Sequence, residues 1–225
     1  MTVSDFGISG PALPDDDGIP RDDDPRYKLS GLMRRINSLV VGAPIEDDAL
    51  DSATAKLEEL VDELESAAGP GRRPRVHPDP NGPAQDFFPT SPVIGFANPV
   101  APPVEVESVE GGLNGKVFFD YQYEGPPGCV HGGIIALVFD ELLGAANIAS
   151  DSPGMTGTLT VRYRKPTPIR TDLRLVARFE GRDGRKIRTS GAMYHGDELT
   201  AEAEGIFIEL VADRFFALIS KRDRQ

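Results

Sequence analysis

The chain has 225 residues, 39% of them apolar, and carries 36 acids against 24 bases for a formal net charge of −12. That balance excludes bulk electrostatic attraction to nucleic acid or to an anionic lipid surface. Its single cysteine, Cys129, excludes an internal disulfide framework and a multi-cysteine metal site. No apolar run approaches the ~20 residues of a membrane span. No basic start followed by an apolar stretch opens the sequence, so the expectation is a soluble, cytoplasmic protein without a secretory signal.

Residues 1–28 contain Asp15-Asp16-Asp17 and Asp22-Asp23-Asp24 with almost nothing apolar, and are expected to be an acidic, flexible tail. Two amphipathic helices are predicted over 29–69. The first sets Leu29, Leu32, Met33, Ile36, Leu39 and Val40 on one face with Arg34 and Arg35 opposite. The second repeats the pattern with Leu50, Leu57, Leu60, Val61 and Leu64. It opens on Glu46, Asp47 and Asp48, where the helix dipole favours acids, and stops at Gly69-Pro70. Residues 70–103 read as a proline-rich extended linker.

From 104 to 211 the apolar period falls to two. Val117, Phe119, Tyr121 and Tyr123 alternate with polar residues, as do Leu159, Val161 and Tyr163, then Leu173, Leu175 and Phe179. The segments 185–194 and 199–210 are also strand-like, and Asp183-Gly184 and Gly196-Asp197 are hairpin signals. Segment 133–149 breaks the alternation: its apolar residues cover every side of a helix, which must then be buried on every side. The fold predicted is α+β, an antiparallel sheet of about five or six strands wrapped around one central helix. A helical N-terminal extension precedes it, and a tail follows at 212–225.

Asp140 and Glu141 interrupt that apolar helix. Asp140 shares a face with Ala136, Leu137, Leu143 and Gly144, where burying a carboxylate unpaired is expensive. Two readings are open: a structural carboxylate bonded to neighbouring backbone, or a catalytic one. Glu141 points about 100° away and reads as structural. Just before the helix, Cys129-Val130-His131-Gly132-Gly133 puts two glycines where free N–H groups and the dipole suit an anion or a developing oxyanion. Cys129 reads as a small buried residue. Gly132 and Asp140 lie eight residues apart, roughly 12 Å along a helix, so one acyl carbon reaches both only if they come from two chains. His77, His131 and His195 fall in different elements, and neither a metal site nor a cofactor is expected. Residues 162–188 hold ten bases and three acids. Arg164, Lys165, Arg185 and Lys186 are the candidates there for binding phosphate.

His131-Gly132-Gly133 followed by Asp140, then Thr156-Gly157-Thr158-Leu159-Thr160-Val161-Arg162-Tyr163-Arg164-Lys165-Pro166 and Gly184-Arg185-Lys186-Ile187, resembles the hotdog-fold thioesterases of the phenylacetic-acid-pathway type. The likeness covers residues 104–211 and is similar to the branch of thioesterase superfamily member four, as is the stretch from Ser91-Pro92 to Pro103. The resemblance implies hydrolysis of an acyl-coenzyme A, fatty or related, to free acid and coenzyme A. It implies Asp140 as general base or nucleophile, the Gly132 N–H as the group polarising the thioester carbonyl, and His131 as shaping the turn. It also implies Thr156 as holding the attacking water, and Gly133 beside the substrate. A homodimer or higher homo-oligomer with active sites at the subunit interface is the expected assembly. A non-catalytic acyl-coenzyme A sensor is the competing reading, and retention of Asp140 and Thr156 argues against it. A hydratase would want a different aspartate–histidine arrangement.

Overall fold

The computed structural model describes residues 24–70 and 89–209. The predicted acidic tail through Asp23, residues 71–88 with His77, and the C-terminal tail lie outside the described residues. Helices α1 (Pro25–Gly42) and α2 (Asp47–Ala67) come first. Strands β1 (Val104–Val109) and β2 (Gly112–Phe118) follow, then helix α3 (Gly132–Ala149). Strands β3 (Gly154–Tyr163), β4 (Asp172–Asp183), β5 (Lys186–His195) and β6 (Glu198–Glu209) complete the described fold. The six strands form one antiparallel sheet in the order β1-β2-β4-β5-β6-β3, so β3 is an edge strand although it lies in mid-sequence. The hairpin glycines Gly184 and Gly196 have φ of 57° and 58°, a conformation that L side chains rarely adopt.

Helix α3 packs on the sheet through Ile135, Val138, Phe139, Leu142 and Leu143. They meet Leu173, Leu175 and Ala177 of β4, Ile187 and Met193 of β5, and Ala201, Ala203 and Phe207 of β6. Gly191 makes the close approach possible: a Cβ there would stand 2.9 Å from a Leu143 methyl and 3.2 Å from the Phe139 ring. By length and composition α3 matches a membrane helix, with a mean hydropathy of 1.5. The core of this sheet occupies its apolar face instead.

Four expectations need correction. The helix is not covered on all sides: Leu137 is 39% exposed, Gly133 is exposed, and Asp140 is half-buried. One sheet covers one side of a cylinder, and this strip is left open. The strand expected through Tyr123 ends at Phe118, because the Asp120 carboxylate caps the Tyr121 N–H and turns Tyr121–Tyr123 into a 3-10 helix. Residues 89–103 are not an extended linker but a run of turns that buries Ser91, Val93 and Ile94 in the core. Helix α1 begins earlier than predicted, because Asp24 caps it and Pro25 occupies its first turn. It also docks by its polar side: Ser30 and Ser38 are buried, and the Arg34 guanidinium donates to the carbonyls of Phe96 and Asn98 at 3.3 and 2.9 Å. Leu32, Leu39 and Val40 face outward.

Candidate active site

The N-terminus of α3 is built from His131, Gly132 and Gly133. His131 is the N-cap, with its Nδ1 accepting from the Gly133 N–H at 3.0 Å. An accepting Nδ1 carries no hydrogen, so the imidazole proton sits on Nε2. The His131 carbonyl accepts from the Ile134 and Ile135 N–H groups at 2.9 and 3.2 Å. That carbonyl shares a peptide with the Gly132 N–H, which therefore points the opposite way, out of the helix end. Among the described residues the Gly132 N–H has no acceptor. The turn thus presents one free donor, polarised by two bonds to its own peptide's carbonyl and by the helix dipole.

A residue not picked out by the motif reading completes this corner. The Tyr163 hydroxyl, from the end of β3, donates to the Gly132 carbonyl at 2.7 Å. Its ring lies against the glycine, so a Cβ on Gly132 would be 3.3 Å from the ring carbon that bears the hydroxyl. The signal was present in the alternation, since Tyr163 shares its parity with Leu159 and Val161, which pack toward α3.

Asp140 lies two turns further along, on the open strip with Leu137. Next to it, Glu141 is turned into the protein beneath the 89–103 strap. The Ser91 hydroxyl accepts from the N–H groups of Val93 and Ile94 and donates its own proton to Glu141 Oε1 at 3.1 Å. Burial pushes the Glu141 carboxyl above its ordinary range. The Ser91 bond opposes that shift and the Asp140 charge adds to it. Glu141 is therefore the carboxylate that anchors the strap, and Asp140 the one facing open space.

Thr156 reaches its position through an irregularity. The β3–β6 register runs Thr156↔Phe207 and then Thr158↔Ile206, so Gly157 is an extra residue, a β-bulge. Plain alternation would group Thr156 with Thr158 and Thr160 on the outer face. The bulge instead pairs it with Phe207, whose ring is in the core, and so turns it to the side that carries α3. Thr156 is exposed at the strand's far end from Tyr163.

The four predicted phosphate-binding residues do not form one patch within the chain. Arg164 pairs with Glu202 and Lys165 with Glu198, at the Tyr163 end of the sheet. Arg185 and Lys186 sit at the opposite end, where Lys186 is in register with Ile208 and Ile208 with Met155. An antiparallel meander separates residues that are close in sequence but lie at opposite ends of a strand. Among the described residues no acid pairs with Arg185 or Lys186. Also among the described residues, no cluster of His, Cys, Asp or Glu is arranged to hold a metal ion. Cys129 is a half-buried free thiol.

No protein-family model matches the chain. It is 38% identical over 89 residues to the acyl-coenzyme A thioesterase THEM4 of Xenopus laevis, and 36% identical over 89 residues to that of Mus musculus. Those matches take in 39% of this chain and span 40% and 38% of the two relatives' lengths, less than half of each. The crystal structure of a thioesterase superfamily protein superposes with a TM-score of 0.74 at 31% identity, covering 85% of this chain and 94% of that one. That match reaches well beyond the sheet and α3, and on it the chain belongs to the thioesterase superfamily, with the superfamily's hotdog fold.

Proposed function

We propose that the protein hydrolyses acyl-coenzyme A thioesters to free acid and coenzyme A. The observation that carries this reading is the free Gly132 N–H at the head of α3, with Asp140 on the open strip of the same helix. The acyl-coenzyme A thioesterase relatives support the substrate class. Asp140 takes a proton from a water held by Thr156, and the resulting hydroxide adds to the thioester carbon. The oxygen that becomes negative accepts from the Gly132 N–H. Collapse of the tetrahedral intermediate breaks the C–S bond, and coenzyme A leaves as a thiolate that takes up the proton. One such oxyanion donor is worth about 10²–10³ in rate, and a positioned base about 10²–10⁴.

The site is shared between two chains. Gly132 and Asp140 of one helix lie ~12 Å apart, too far to act on one carbonyl. Among the described residues strand β3 is an unpaired sheet edge, and beside it Met155, Tyr163 and Leu137 are exposed. Antiparallel pairing of two β3 edges about a two-fold axis brings the Thr156 end of one chain to the Gly132 end of its partner. The same operation brings the Arg185–Lys186 end of one chain to the Arg164–Lys165 end of the other. This gives Arg185 and Lys186, with which no acid among the described residues pairs, a role in binding the phosphates of coenzyme A. The test is a panel of acyl-coenzyme A substrates read by free-thiol release. The wild type is expected to turn over at least one of them, and Asp140→Asn to lose about 10²-fold or more in kcat with the fold intact. Turnover in Asp140→Asn equal to the wild type would overturn the assignment.

A further inference from the structure

The Gly132–Gly133 peptide is held at both ends: its carbonyl accepts from the Tyr163 hydroxyl at 2.7 Å, and its N–H donates to His131 Nδ1 at 3.0 Å. The adjoining His131–Gly132 peptide carries the free donor. Two successive glycines have the softest backbone a chain offers, so without restraint this donor would swing. The helix restrains the His131 carbonyl, and the imidazole reaches back from the same turn. Tyr163 ties the glycines themselves to another element, the end of β3, while the preceding His131 N–H is bonded to the Tyr123 carbonyl at 2.9 Å. Its ring also packs on Gly132, so side-chain contact and hydrogen bond restrain the same unit.

We propose that Tyr163 is a positioning residue for thioester hydrolysis: it fixes the diglycine turn so that the Gly132 N–H stays aimed at the site of the developing oxyanion. The inference rests on the thioesterase reading above and adds a residue to it. Tyr163 does not touch the reacting atoms. It acts through the peptide next to the donor, and its effect falls on the transition state, in which the oxygen bears charge, more than on the bound substrate.

Tyr163→Phe removes the hydroxyl and keeps the ring. Its kcat is expected to fall about tenfold, a fraction of what a direct oxyanion donor supplies, while KM for acyl-coenzyme A stays within twofold. Amide hydrogen exchange over residues 131–135 is expected to speed up, because the peptide loses its tie to β3 and keeps only the bonds within its own helix end. Tyr194→Phe is the control. That ring stacks under Arg174 at 4.1 Å, away from the turn, and its loss of a hydroxyl should change neither reading. His131→Ala releases the other end of the same peptide, so its kcat loss and that of Tyr163→Phe should combine to less than their product. Faster exchange with unchanged kcat would overturn the positioning role, as would losses that multiply independently. Unchanged exchange would overturn the restraint itself. A wild type inactive on every acyl-coenzyme A would instead overturn the thioesterase reading and, with it, the role in turnover. The exchange measurement would still decide whether Tyr163 restrains the turn.

Discussion

Helix α3, apolar on nearly every side, and the amphipathic α1–α2 pair sit in the protein in opposite ways. Helix α3 turns its apolar side into the sheet and leaves open a strip with Leu137 and Asp140. Helix α1 turns Ser30, Arg34 and Ser38 inward and leaves Leu32, Leu39 and Val40 out. In α2 no residue is buried, and Val61 and Leu64 are about half-exposed, at 51% and 47%. A periodic apolar stripe states that a face is suited to being covered. It does not state that the rest of the same chain does the covering. In α1 small serines allow close approach, and a guanidinium bonded to two strap carbonyls supplies specific attachment, which is enough to orient a helix against its own stripe.

Substitutions around α3 and on α2 separate these cases. The largest expected effect is on the sheet side. Phe139→Ala removes a fully buried ring packed against Gly191 and should cost about 3–5 kcal/mol in denaturant unfolding. A loss below about 1 kcal/mol would mean that the contact with the sheet is not the main anchor of α3. Next comes the open strip. If a second copy covers it, Leu137→Arg should weaken dimerisation by about 10²-fold in sedimentation while the far-ultraviolet spectrum is kept, a change of about 2.7 kcal/mol. An unshifted dimer would show that the strip meets solvent.

The strap side follows. Burial raises the Glu141 carboxyl in the folded chain, so ionising it costs stability that is fully retained below the ordinary glutamate value of 4.5. That cost grows as pH rises from 4.5 through the folded-state value. Glu141→Gln should therefore melt higher than the wild type at neutral pH, with the difference closing as the pH falls toward 4.5. A constant difference across that range would place its cause outside the titration of this group. The smallest effect is expected on α2, where Leu64→Ser should change stability by no more than about 0.5 kcal/mol. A larger loss, dependent on protein concentration, would reveal that a second chain packs on that face.

Much of the fold was legible. The hairpins at Asp183-Gly184 and Gly196-Asp197, the central helix and the alternation in β4 to β6 follow from local chemistry, and the structure has them where the residues indicate. The diglycine turn could be found because glycines before an apolar helix are a local signal, and Asp140 because a carboxylate in that helix is out of place. The role of Ser91 could not, because its partner Glu141 lies fifty residues away. Thr156 was visible only through the family resemblance: by parity it belongs with Thr158 and Thr160, and the bulge at Gly157 reverses its side. Tyr163 was legible as an inward residue of β3, but not as the bond to Gly132 across thirty-one positions.

The sequence by itself determined the periods, the turns and the placing of two adjacent carboxylates within an apolar helix, because each depends on residues within a few positions of one another. The tertiary structure alone decided the edge position of β3, the side of α1 that faces in and the separation of Arg164 and Lys165 from Arg185 and Lys186. It also decided which N–H of the diglycine turn remains free. These depend on strand register and on which donors and acceptors meet across long stretches of chain. A local pattern limits such encounters but does not choose among them.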